Sequence, residues 1–290
     1  MGHISRIMYG HGGRLNQTRP GPWPRGSCKS AAGPQYHVHM VTVTGEEQRS
    51  ELWFTVRGSG ESFVLLHPGG ADSRALDLLI SELDGIYACF TPDQRAHGHT
   101  ADVAGPLSFE AMAADTVAFL ERSVDTPVHL LGYSDGAIIA LHAALARPDL
   151  VRSLVFAAGV FHRDGWLPGV LDGEAPEFMG DSYGEVTPDG REHWPVVVAK
   201  LDALHAVSPS LSVDILATLT VPTLVIVGDD DEVQFEHAVA MYRALPDGEL
   251  AVVPRATHGL VVEKPALFAK LIRDFHDTEK TNGFAPIRRS

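Results

Sequence analysis

The chain has 290 residues, 44% of them apolar, and a formal net charge of −14. This is enough for one sizeable core in a single domain, and the acidic balance argues against nucleic acid or an anionic membrane surface as a partner. Two cysteines without a CxxC, no apolar run near the ~18 residues of a membrane span, and no secretory signal lead us to expect a cytoplasmic protein.

Residues 1–39 carry five Lys/Arg, no Asp/Glu and no periodicity, so a disordered extension is expected there, with Met40 just ahead of the first strand. Val41 to Thr44 and Glu51 to Val56 alternate like two antiparallel strands, and Phe63 to Leu66 is a short buried strand running into His67-Pro68-Gly69-Gly70. A helical stretch from Ser73 to Leu83 leads to a strand from Ile86 to Thr91, with Cys89 inside it as a buried thiol, and then to Asp93-Gln94-Arg95-Ala96-His97-Gly98-His99. Ser108 is placed to cap a helix over 108–123. Val128 to Leu131 begins a strand, Gly132-Tyr133-Ser134-Asp135-Gly136 makes a tight turn, and Ala137 to Leu145 is a helix of small and apolar residues that stops at Pro148.

Leu150 to Ala158 is the next strand. From about 160 to 218 Gly, Pro, Asp and Trp break the pattern and only His193 to Ala206 reads as helical, which predicts a short inserted cap. The sheet resumes at Val221 to Val227, followed by Gly228-Asp229-Asp230-Asp231, a helix over 234–245, a strand from Glu249 to Val253, a loop from Pro254 to Leu260 and a helix over 263–277. Strands alternating with helices predict a mostly parallel sheet covered on both faces. The expected division is an extension at 1–39, a core at 40–159 and 219–278, a cap at 160–218 and a tail at 279–290.

Strand, tight turn and helix around a Gly-x-Ser-x-Gly is the setting of a nucleophile elbow, with Ser134 held at positive φ and the flanking glycines giving the turn room. A serine hydroxyl needs a base to become a nucleophile, and His258, on the loop after the last strand, is placed to serve. An acid must fix the histidine's tautomer, and Asp231 ends the loop three residues past Gly228. The chain order Ser134, Asp231, His258 leaves one helix and one strand between acid and base.

At these residues the chain resembles the α/β-hydrolase superfamily over roughly residues 41–277. The loop 67–70, the Asp-x-Arg turn at Asp93, the elbow, the Gly-x-x-Asp acid loop and the late His258-Gly259 all carry the resemblance. It implies an α/β-hydrolase fold, a mostly parallel eight-stranded sheet with a short cap insertion. It also implies a cofactor-independent serine hydrolase of a small-molecule ester, lactone or thioester; a monomer or homodimer is expected, and the sequence does not decide between them. The family spacing selects Asp231 as the acid, with Asp229 as rival.

Pro68 lacks an N–H, so the oxyanion donors fall to Gly69 or Gly70 together with Asp135, the residue after the nucleophile. Gly-Tyr-Ser-Asp-Gly looks like the valacyclovir-hydrolase-like (biphenyl hydrolase-like) branch, where an acid at the position of Asp135 recognises a substrate amine. The blander reading is that Asp135 bonds backbone or cap. Tyr133, Trp166 and Trp194 are further substrate-binding candidates, although the tryptophans could equally form the cap's own core. His97 and His99 resemble half of a metal motif, but Asp102 is one residue too far, so no metal is expected. Perhydrolases and carbon–carbon bond hydrolases share such a site, and some relatives only bind ligands, so these alternatives stand beside the esterase reading.

Overall fold

A computed structural model describes residues 37–44, 49–125, 127–173 and 175–277. The expectations for 1–36 and for the tail at 279–290 lie outside the described residues. Eight strands form one sheet in the order β1-β2-β4-β3-β5-β6-β7-β8. They are β1 (His37–Thr44), β2 (Arg49–Arg57), β3 (Glu61–Leu66), β4 (Tyr87–Pro92), β5 (Val128–Tyr133), β6 (Val151–Ala157), β7 (Thr223–Asp230) and β8 (Gly248–Thr257). β2 pairs antiparallel with β1 and β4, and every other pairing is parallel.

Alternation along the central strands builds two cores. Val64, Leu66, Leu130 and Phe156 face one way, towards α2 (Phe109–Ser123) and α3 (Asp135–Ala146). Phe63, Leu65, Leu131 and Val155 face the other way, towards α1 (Asp77–Leu83), and share that core with Phe268 and Ile272 of the last helix. Burying both faces explains why these strands read as unbroken apolar runs.

Three expectations need correction. β1 begins at His37, so its first three residues belong to the sheet and not to the extension. β8 runs through Pro254 to Thr257 where a loop was expected. It is an edge strand, the position where a residue without an N–H can be accommodated. The cap, between β6 and β7, holds α4 (Glu177–Gly184) as well as α5 (Trp194–His205) and the short α6 (Val213–Leu216).

Two glycines hide α4 from a propensity reading. Gly180 is there because a Cβ would stand 2.6 Å from the Trp194 ring of α5. Polar contacts tie the cap to the core. Arg74 is held by Asp72 and donates to the carbonyl and hydroxyl of Ser182, while Lys200 donates to Asp102 and to the carbonyl of Val103. The chain closes with α7 (Phe235–Ala244), α8 (Leu260–Glu263) and α9 (Pro265–Asp277).

Candidate active site

The turn from β5 into α3 is compressed. A Cβ on Gly132 would lie 2.0 Å from the Gly136 carbonyl oxygen, and one on Gly136 would lie 2.3 Å from that of Leu66 in β3. Both positions therefore require glycine. Ser134 between them has φ 55° and ψ −119°, a conformation that costs a non-glycine residue about 1–3 kcal/mol and persists only under constraint. Its N–H donates to the Ala157 carbonyl of β6, and its carbonyl accepts from Ala137. The side chain is thereby pinned at the carboxyl end of the sheet, at the start of α3.

His258 follows β8, and its Nε2 lies 3.1 Å from Ser134 Oγ. Its Nδ1 lies 2.8 Å from Asp231 Oδ1. A bulge between Gly228 and Asp230 changes the register of β7 against β8 just ahead of Asp231. Gly228 N–H donates to Asp231 Oδ2, and Glu232 N–H donates to Oδ1. Asp229 is used differently, accepting from the Ala256 N–H.

Burial disfavours the charged forms of both Asp231 and His258, but each outweighs it for the other. The Asp231 carboxyl is held below its usual value by His258 and by the two N–H donors. The His258 imidazole is held above its usual value by Asp231. The arrangement fixes one tautomer, with Nδ1–H donating to Asp231 and the Nε2 lone pair facing the Ser134 hydroxyl. Ser134 is 0% and His258 1% exposed.

Gly70 N–H donates to His97 Nε2 at 3.1 Å, and so is committed to holding its own loop. The His97 Nδ1–H donates to the Arg95 carbonyl, and burial pushes this ring down to about 4, which suits the neutral form that accepts from Gly70. His67 braces the same loop: its Nε2 accepts from the Gln94 N–H. Arg95 makes a two-point bond to buried Asp115 of α2, and His99 bonds Asp93. His97 and His99 are thus engaged in the turn, and among the described residues no group of three or more His, Cys, Asp or Glu is arranged for a metal ion.

Tyr133 is fully buried, and its hydroxyl donates to the His258 carbonyl while accepting from the Val261 N–H. It braces the backbone of His258. Trp166 stands edge-on to the His258 ring, with centroids 5.8 Å apart. Trp194 packs on Tyr183 and Gly180 inside the cap.

The carboxylate of Asp135 is taken by the cap. His205 Nε2 lies 2.9 Å and 3.0 Å from its two oxygens, so a substrate amine would meet an acid already engaged. The residue missed from sequence was His205, on a helix 70 positions away, with nothing local to signal the pairing.

Residues 63–271 match the alpha/beta hydrolase family. The chain belongs to that family. Among curated relatives, the pimeloyl-[acyl-carrier protein] methyl ester esterase of Neisseria meningitidis serogroup C is 28% identical over 240 residues, covering 73% of this chain and 91% of the relative. A serine hydrolase involved in carbazole degradation superposes with TM-score 0.69 at 21% identity, over 83% of this chain and 99% of that one. The meta-cleavage product hydrolase of Pseudomonas fluorescens gives TM-score 0.64 at 19% identity, over 78% and 94%. Family and relatives support an esterase-like hydrolase branch.

Proposed function

We propose that the protein is a cofactor-independent serine hydrolase that cleaves a carboxylic ester, lactone or thioester of a small molecule through an acyl-enzyme. The observation that carries this is the unbroken line from Asp231 through His258 to Ser134, at 2.8 Å and 3.1 Å, with the serine on a strained turn. Ser134 Oγ attacks the carbonyl carbon as His258 Nε2 takes its proton. The negative charge passes to the carbonyl oxygen, held by the N–H of Gly69 and of Asp135, since Gly70 is spent on His97. Collapse expels the alcohol or thiol, which receives the proton from His258. Water, deprotonated by the same nitrogen, then attacks the acyl-enzyme, and the acid leaves as Ser134 regains its proton.

The likeness to a methyl ester esterase favours an ester over a carbon–carbon bond. The pairing of Asp135 with His205 favours neutral or anionic esters over amino-acid esters. A panel of p-nitrophenyl esters of graded chain length, amino-acid esters and lactones, run on wild type and Ser134→Ala, tests the reading. Turnover of neutral esters that vanishes in the variant is expected. Peroxide-dependent bromination without ester turnover, or ligand binding without turnover across the panel, would point to the alternatives instead.

A further inference from the structure

From the contacts of its ring we infer that His205 is a positioning residue for the reaction: it holds the Asp135 carboxylate against the oxyanion loop and offsets that charge where the oxyanion forms. The inference rests on the proposed roles of Ser134 and of the N–H groups of Gly69 and Asp135.

The Asp135 side chain lies directly on that loop. A Cβ on Gly69 would be 2.0 Å from Asp135 Oδ2, so the carboxylate lies against the glycine whose N–H is the proposed donor. Asp135 is 3% exposed. A bare negative charge so near a developing oxyanion, in a site closed to water, would oppose catalysis, because like charges a few ångströms apart repel strongly where water is excluded.

His205 answers that charge. It is 2% exposed and reaches both carboxylate oxygens through Nε2. Its Nδ1 is buried with no hydrogen-bond partner among the described residues. Only the nitrogen facing Asp135 is used, so the ring's polar role is towards that carboxylate. Burial disfavours the imidazolium, but the Asp135 charge outweighs this and raises the ring above its usual value.

His205→Gln tests the inference, because it keeps a donor and removes the charge. Steady-state hydrolysis of p-nitrophenyl acetate should show kcat lowered about tenfold or more with KM changed less than about threefold. Adding Asp135→Asn, which removes the carboxylate that needed offsetting, should recover most of that kcat. His205→Lys, which retains a positive charge, should lose less than His205→Gln. A thermal melt of each variant establishes that it is folded.

An unchanged kcat in His205→Gln, or a double variant no faster than His205→Gln, overturns the inference. Ser134→Ala in the same assay separates the two readings. An inactive Ser134→Ala beside a fully active His205→Gln sinks only the role of His205, whereas an active Ser134→Ala removes the nucleophile reading and this inference with it.

Discussion

The Tyr133 hydroxyl donates a 2.6 Å hydrogen bond to the carbonyl of His258. The residue before the proposed nucleophile thus grips the backbone of the proposed base. Tyr133→Phe leaves that buried carbonyl and the Val261 N–H without the partner they share. An unmet buried polar group costs about 1–3 kcal/mol, so a melting temperature several degrees lower is expected. If the bond also fixes the imidazole, kcat on a p-nitrophenyl ester should fall while KM holds. Stability lost with kcat intact would make Tyr133 a brace for the fold alone.

Asp231 and Asp229 divide their labour, one bonding His258 Nδ1 and the other a backbone N–H of β8. Asp231→Asn should lower kcat by about three to four orders of magnitude, since the amide favours the wrong tautomer. Asp229→Asn should leave kcat within about threefold. Kinetics of the two variants side by side check the assignment, and equal losses would contradict it.

The pH profile follows from the pair. His258 acts as a base only when neutral, and Asp231 raises its proton affinity above the ordinary value. Activity should therefore rise with pH through a midpoint above about 6.5, the unperturbed histidine value. A kcat/KM profile with its acid limb centred below that value would show that the carboxylate does not hold the imidazolium.

The opposite end of the sheet carries a closed hydrogen-bond chain. The contacts run from Tyr87 Oη to His276 Nδ1 at 2.9 Å, from His276 Nε2 to Ser153 Oγ at 3.0 Å, from Ser153 to His129 Nδ1 at 2.7 Å and from His129 Nε2 to Glu61 at 3.2 Å. With both rings neutral, each N–H or O–H along this line has an acceptor. Burial lowers the His129 ring, and burial with the neighbouring His129 lowers His276 to about 3.

The unfolded chain binds these protons first, so their contribution to stability is intact above about pH 6.5 and lost as pH falls towards 3. For such a ring the loss is about 1.4 kcal/mol per pH unit. Denaturant melts from pH 7.5 to 4.5 should show a steep decline that flattens in His276→Gln. An equally steep decline in that variant would place the acid sensitivity elsewhere.

The element order and the sheet were legible in the sequence because alternation and turn residues agree along most of the chain. The misses have local physical causes. Gly180 and Gly184 lower the helix propensity of α4, yet Gly180 is the residue that lets Trp194 pack. Pro254 reads as a break, yet an edge strand tolerates it.

For the site, the spacing of Ser134, Asp231 and His258 singled out three residues that the fold brings together. The commitment of Gly70 to His97 was not legible, and for Asp135 a bond to the cap was one of the readings but His205 as the partner was not. Each joins separate segments by packing, which leaves no periodic or motif-level trace.

In the proposed reaction Ser134 Oγ is the atom that attacks. Peptide mass spectrometry after treatment with a fluorophosphonate tests this most directly. One adduct per chain, mapped to Ser134, abolished in Ser134→Ala and slowed in His258→Ala, is the predicted result. An adduct on another residue, or undiminished labelling of Ser134→Ala, would contradict it.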